Sequence, residues 1–149
     1  ELRLTGYKQA LEAAGRPFDA SIVGEGDFTY VSGMRAAKGL LDTATPPTAI
    51  FASNDDMAAG AINSIHQSGL RVPEDISVVG FDDTATASAI WPPLTTIRQP
   101  IREMANDAIE TLERIVGEEA AGERPAPEKQ RLPYKLVVRE SAASPGADD

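Results

Sequence analysis

The sequence has no cysteine, a single histidine and a single tryptophan, and only 5% of its residues are aromatic. Without thiols the chain makes no disulfide and no thiolate metal site. The lone His66 falls late in a helical stretch beside Gln67 and reads as part of a solvated helix face rather than a catalytic group. Basic residues are scarce as well: 14 Lys and Arg stand against 23 Asp and Glu, for a formal net charge of −9. Nucleic-acid binding rests on basic patches that neutralise phosphates, so this stretch is a poor DNA binder by itself. No apolar run approaches the length of a membrane span, which argues against a membrane partner. Nor is there an initiating Met or a signal peptide, and Glu1-Leu2-Arg3 reads as a cut inside a longer chain. What is present is ordinary globular material: 149 residues, 42% hydrophobic and 25% charged, enough for one domain with a sizeable core.

Leu4, Tyr7, Leu11 and Ala14 recur at helical spacing until Gly15 and Pro17 end the helix. A short strand is expected over Ala20 to Val23, followed by the glycine-punctuated turn Gly24 to Asp27. Thr29 or Ser32 can cap a second helix whose apolar face is Met34, Ala37, Leu40 and Leu41. Pro46-Pro47 break the chain before a buried-strand candidate, Ala49-Ile50-Phe51-Ala52. A helix carrying Met57, Ala61, Ile62 and Ile65 follows and stops at Gly69. Ile76 to Phe81, rich in β-branched residues, suits a strand buried on both faces and ends abruptly at Asp82-Asp83. Strand, polar end and helix in repetition make a βαβ pattern, hence an α/β fold with a parallel, doubly wound sheet. Beyond Pro100, Ile101, Met104, Ala105, Ala108, Leu112, Ile115 and Val116 trace the cleanest amphipathic helix. Gly117 to Arg131 reads as an exposed loop, Leu136-Val137-Val138 as a last strand, and 142–149 as a disordered acidic tail.

In an open α/β sheet, ligands are met outside the carboxyl ends of the strands. Asn54-Asp55-Asp56 and Asp82-Asp83 both stand at such ends. Helix capping accounts for the first cluster taken alone, and two clusters on one edge suggest a polar pocket. Carboxylates suit Mg²⁺ or Ca²⁺, but no calcium-loop spacing is present. Ser53, His66 and Asp82 could be drawn as a triad, yet no nucleophile-elbow pattern surrounds the serine. Gly24-Glu25-Gly26 holds only part of a dinucleotide fingerprint. Phe28 follows a strand end in a tight turn, where its ring is either core or a stacking face for a sugar or base. Trp91, ahead of Pro92-Pro93, suggests a partly exposed loop and an interface.

Taken in order, Arg3-Leu4-Thr5-Gly6-Tyr7, Gly26-Asp27-Phe28, Pro47 to Phe51, Asn54-Asp55, Gly69 to Asp83 and Pro93-Leu94-Thr95-Thr96-Ile97 form one pattern. It resembles the C-terminal half of a LacI/GalR-family transcription regulator, from Arg3 to about Ser141. The resemblance implies a two-lobed, periplasmic-binding-protein-like effector core joined to an N-terminal helix-turn-helix DNA-binding domain. It places 1–100 in an incomplete C-terminal lobe, 101–131 in the N-terminal lobe, and 132–141 in a returning strand. It also implies a strand ahead of the Arg3 helix, between the strands near Ile22 and Ile50, that this chain does not contain. Ligand-contacting positions fall by resemblance on Arg3, Phe28, Asn54, Asp82 and Gln99. Those side chains suit a small polyhydroxylated ligand, a sugar foremost, with a nucleobase as the family's other precedent.

The implied function is effector sensing by a cytoplasmic, homodimeric repressor that binds operator DNA through the helix-turn-helix domain absent here, with no cofactor. Pairing is implied through the helices near Met34 and Ile62 and the loop from Thr84 to Trp91. A periplasmic sugar-binding protein of an ABC transporter shares the fold. Against it stand Val72 to Asp75, Asp83, and the Pro93-Leu94-Thr95-Thr96-Ile97 run with the Val138-Arg139-Glu140-Ser141 ending, all resembling the regulators. An enzyme lacks a nucleophile, base or phosphate-loop arrangement in this sequence.

Overall fold

The computed structural model describes residues 2–121 and 130–144. These fall into two units, one of 2–97 with 136–144 and the other of 98–121 with 130–135. In the first unit, helix α1 (Leu2–Ala13) leads to a 3-10 turn (Ala20–Ile22), helix α2 (Tyr30–Leu41) and strand β1 (Ala49–Phe51). Helix α3 (Asp55–Gln67), strand β2 (Ser77–Asp82) and the short helix α4 (Ala85–Ala89) follow. Strand β3 (Thr95–Arg98) carries the chain into helix α5 (Ile101–Ala120), and strand β4 (Lys135–Val137) brings it back. The four strands form one sheet in the order β1-β2-β3-β4, so the α/β class read from the sequence holds.

α3 is the centre of this unit. Nine of its residues are buried, where its sequence suggested a single apolar face. The reason is small side chains on the other faces. Gly60 lies against the Tyr30 carbonyl and the Met34 amide, and Gly33 against the Met57 backbone, so α2 and α3 touch backbone to backbone. Met57, Ala58, Ile62 and Ile65 of α3 then meet Val72, Ile76, Val78, Ala87 and Leu94 in one core. His66 is exposed in the last turn of α3, as read.

β1 and β2 run parallel with α3 between them in sequence, Ile50 opposite Val78, and their carboxyl ends share one edge of the sheet. Side-chain burial along β2 alternates, however, instead of being complete on both faces. Val78 and Gly80 are buried, while Val79 and Phe81 are half-covered. β1 is no buried strand either: it lies at the sheet's edge, with Phe51 44% exposed. The strand expected over Ala20 to Val23 is a 3-10 turn. Asp19 caps it, accepting from the Ser21 amide at 2.8 Å and the Ser21 hydroxyl at 2.7 Å. A short run without a partner strand gains no ladder, so the local Asx hydrogen bonds win. Between Ile22 and Ile50, where the resemblance puts a strand, lies a cavity of about 460 Å³.

The chain's return is stitched into the sheet by Ser141, fully buried. Its hydroxyl donates to the Val78 carbonyl (2.6 Å) and accepts from the Thr95 amide (2.8 Å), and its carbonyl accepts from the Val78 amide (2.7 Å). The tail expected to be disordered over 142–149 lies from 145 onward outside the described residues. Ala143, in its first part, is held, donating its amide to the Ser77 hydroxyl at 3.1 Å. In the second unit α5 runs through Gly117 to Ala120, four residues into the expected loop. Glu118 and Glu119 are good helix formers, and Arg114 pairs with Glu118 at 2.7 Å one turn apart. Of the rest of that loop, 122–129 lies outside the described residues. None of the residues of α5 is buried, and Ile101, Leu112 and Val116 of its apolar stripe are each more than half exposed.

Two outcomes are expected. A Cβ at Gly60 would overlap backbone atoms of α2 that cannot rotate away, so Gly60→Ala should lower unfolding stability by about 1–3 kcal/mol in chemical denaturation. An unpaired parallel edge recruits strands, so the 149 residues expressed alone should self-associate with concentration in sedimentation velocity. A monomer at all concentrations would show that the β1 edge is adequately protected.

Candidate effector site

Arg3 stands in the first turn of α1 and reaches over the carboxyl end of β2. Its guanidinium lies on the face of Phe81, 4.0 Å from the ring centroid, and Nη2 is 3.6 Å from Asp82 Oδ1. Stacking of this kind contributes about 0.5–1 kcal/mol at an accessible site and holds the planar fork in one orientation. Arg3 Nε is buried without a hydrogen-bond partner. An unmet buried donor costs about 1–3 kcal/mol, so a ligand acceptor placed there is favoured.

Asp82 owes its position to an unusual backbone. Asp82 and Asp83 have φ of 115° and 57°, two successive non-glycine residues in the region that favours glycine. Such residues cost about 1–3 kcal/mol each and persist only where their surroundings hold them. Asp83 Oδ1 accepts from Arg139 Nη2 at 2.6 Å, in an ion pair whose carboxylate is almost wholly buried. Arg139 Nη1 donates in turn to the Leu94 carbonyl at 2.8 Å. On the far side of the pair, the Thr84 amide donates to Asp55 Oδ2 at 2.6 Å.

Asn54 both caps α3 and ties down the aromatic wall. Its Oδ1 accepts from the Met57 amide and its Nδ2 donates to the Phe28 carbonyl, each at 2.9 Å. Phe28, with φ of 67°, leaves its ring more than half exposed. The turn before it is built on Asp27, whose Oδ1 accepts from the Thr29 hydroxyl at 2.6 Å and the Thr29 amide at 3.2 Å. Thr29 caps α2 by accepting from the Ser32 amide. Hydrogen bonds from the Thr29 hydroxyl, then the Ser32 hydroxyl and the Thr29 amide, lower the Asp27 carboxyl to about 2.

Arg3, Phe28 and Ser53 line the cavity beside β1, whose remaining walls include Leu4, Ile22, Ile50 and Met57. Four of the five expected residues therefore belong to one unit, as the pairs Arg3–Asp82 and Phe28–Asn54. Gln99 follows β3 in the second unit. Ser53 and His66 lie at opposite ends of α3, which dissolves the drawn triad. Among the described residues no cluster of three or more His, Cys, Asp or Glu side chains is placed to hold a metal. Thr84, Thr96 and Arg139 escaped sequence reasoning, and Asp55 was read as a helix-terminus acid or a member of a polar cluster and not as the group that holds the Asp82–Asp83 loop. The one signal was the acid directly after Asn54, which read as a helix-terminus charge.

A strand-end site with an arginine fork, a carboxylate and an aromatic wall on an α/β lobe is the build of a small-molecule binding core. The domain family described as periplasmic binding protein-like matches residues 1–142. The chain is 43% identical to the HTH-type transcriptional regulator DegA of Bacillus subtilis over 95% of its own length and 40% of that protein's. It superposes on the transcriptional regulator CelR–cellobiose complex with a TM-score of 0.83, at 41% identity, covering 94% of this chain and 42% of that one. On the Lac repressor bound to ONPG the TM-score is likewise 0.83, at 37% identity, covering 95% and 41%. The chain belongs to the periplasmic-binding-protein-like domain family, in the branch formed by the effector-binding cores of LacI/GalR-type transcription regulators. It spans about 40% of the length of the curated relatives it matches.

The Asp27 turn gives a pH test. A carboxyl lowered in the folded state adds stability that is present above its ordinary value of 3.8 and is lost as pH falls through about 2. Carboxyl ¹³C NMR should show Asp27 titrating near 2, and Thr29→Val should move that midpoint up towards 3.8.

Proposed function

We propose that this chain is the effector-sensing part of a LacI/GalR-type DNA-binding regulator and takes a small polyhydroxylated ligand, a sugar, at the Arg3–Asp82 edge of the sheet. The observation that carries the reading is the buried, partnerless Arg3 Nε beside the Asp82 carboxylate. A sugar hydroxyl both accepts and donates, so one can accept from Arg3 Nε while its neighbour donates to the Asp82 carboxylate. Phe28 offers an exposed ring for the apolar face of a pyranose, at the end of the same cavity. Gln99 joins the proposed contacts by the family resemblance. CelR, a relative, forms a complex with cellobiose, and the Lac repressor binds ONPG, both sugar derivatives. Binding would alter the operator affinity of the full-length protein, acting in the cytoplasm through a helix-turn-helix domain. A nucleobase effector is the second family precedent, but nothing around Phe28 favours it over a sugar.

The full-length protein is proposed to pair through α2, α3 and the loop from Thr84 to Trp91. Trp91 is 75% exposed, and an aromatic so placed is typical of an interface core. Ile62 is buried in the core, so α3 would pair through its other residues. The relatives that match are named as transcriptional regulators, which favours this reading over periplasmic transport and over an enzyme. Residues 101–131 are proposed, by the family resemblance, to belong to the N-terminal lobe.

Asp82→Asn turns one acceptor into a donor, and a lost charge-assisted hydrogen bond costs about 1.5–3 kcal/mol. Calorimetry of the full-length protein against neutral sugars, with cellobiose and ONPG among them, should show affinity falling at least about tenfold, with melting temperature little changed. Unchanged affinity would remove Asp82 from the site.

A further inference from the structure

Asp82 is a useful ligand contact only if its loop holds still, and neither it nor Asp83 favours the left-handed backbone it adopts. The constraint comes from a carboxylate outside the cavity lining. Asp55 is almost completely buried, and its two oxygens meet three donors. Oδ2 accepts from the Thr84 amide at 2.6 Å and the Thr84 hydroxyl at 3.1 Å, and Oδ1 accepts from the Thr96 hydroxyl at 2.6 Å. Thr84 is the residue directly after the left-handed pair. Gly80, two residues before Asp82, leaves room for this carboxylate, since a Cβ there would come within 2.6 Å of Asp55 Oδ1. The loop is thus held at its exit by Asp55, flanked by a glycine kept small for the same group, and gripped at Asp83 by Arg139.

We propose that Asp55 is a positioning residue for ligand recognition: acting through Thr84, it holds the Asp82–Asp83 loop in the conformation that sets the Asp82 carboxylate beside Arg3. The claim rests on the reading of Asp82 as a ligand contact. Its neighbour in sequence does the matching task, since Asn54 holds the Phe28 carbonyl at 2.9 Å. One helix N-terminus therefore sets both sides of the site, the acidic side through Asp55 and the aromatic side through Asn54. The same carboxylate uses up the hydroxyl of Thr84, which begins α4 without a side-chain cap bond of its own. Asp56 adds a parallel tie, accepting from the Thr86 hydroxyl at 3.0 Å. Displacement of the Asp82 loop would accordingly be felt by α4.

A merely stabilising Asp55 would act on the whole core, and a positioning one on the loop first. In the ligand-free full-length protein, Asp55→Asn should speed amide exchange at Asp83 and Thr84 at least about tenfold, leaving Ile62 and Ile65 in the middle of α3 unchanged. Affinity for cellobiose, measured by calorimetry, should fall by a similar factor. Uniformly faster exchange along α3 and the loop, or unchanged exchange at Thr84, overturns the proposal, as does a loosened loop with undiminished affinity. If Asp55→Asn does not fold, Thr96→Val removes one of the three donors with little change of shape, and Thr96→Ser restores it. Loosening by valine and rescue by serine is the expected result, and identical behaviour of the two refutes it. Failure of cellobiose to bind the unaltered protein counts against that ligand class, and the exchange measurement then decides the positioning role on its own.

Discussion

The close approach of α2 and α3 is the constraint on which the rest of this structure depends. Gly33 and Gly60 let two helix backbones meet where any side chain would hold them apart. Ala59 and Ala61 of α3 are buried too, and Ala58 joins the core. With α3 so fixed, Ile62 and Ile65 reach the core, and the N-terminus of α3 is presented at the carboxyl edge of the β1–β2 pair. Asn54 and Asp55 stand there. The geometry of the candidate site is a consequence of helix packing in the first two turns of α3.

The site itself combines groups held in place with groups left wanting. Asp55 and the Asp83 carboxylate are buried and Arg139 is half-buried, and each is hydrogen-bonded, which is the condition for keeping charge away from water. Arg3, by contrast, keeps a buried donor with no partner and lies 3.6 Å from Asp82, too long for a hydrogen bond. Satisfied groups give the frame its rigidity, and the unsatisfied donor gives a ligand something to bind. Two successive aspartates in a left-handed conformation are the strained element of that frame, consistent with strain gathering where binding takes place.

Relatedness accounts for the lobe and its element order. It does not say why Asp82 takes a backbone conformation that aspartate avoids, or why the chain's last described residues return to the sheet. Both have answers in side-chain chemistry: Asp55 and Arg139 in the first case, the buried Ser141 hydroxyl bridging Val78 and Thr95 in the second.

Much of the helix pattern was legible in the sequence because it rests on short-range rules. Thr29 and Asn54 could be read as caps, and Gly69 as a stop, since caps and breakers act within one turn of the chain. Asp82 could be read as a strand-end carboxylate because β-branched residues run up to it. Strand burial could not be read in the same way. The Ala20–Val23 run folds as a 3-10 turn because no strand pairs with it, and Ile50 lies on an edge strand beside a cavity. Both outcomes depend on what lies alongside, which residue type does not encode. The roles of Asp55 and Arg139 were hidden for the same reason: their partners are 29 and 56 residues away in sequence, and only the tertiary structure brings the carboxylate and the guanidinium to the loop that they hold.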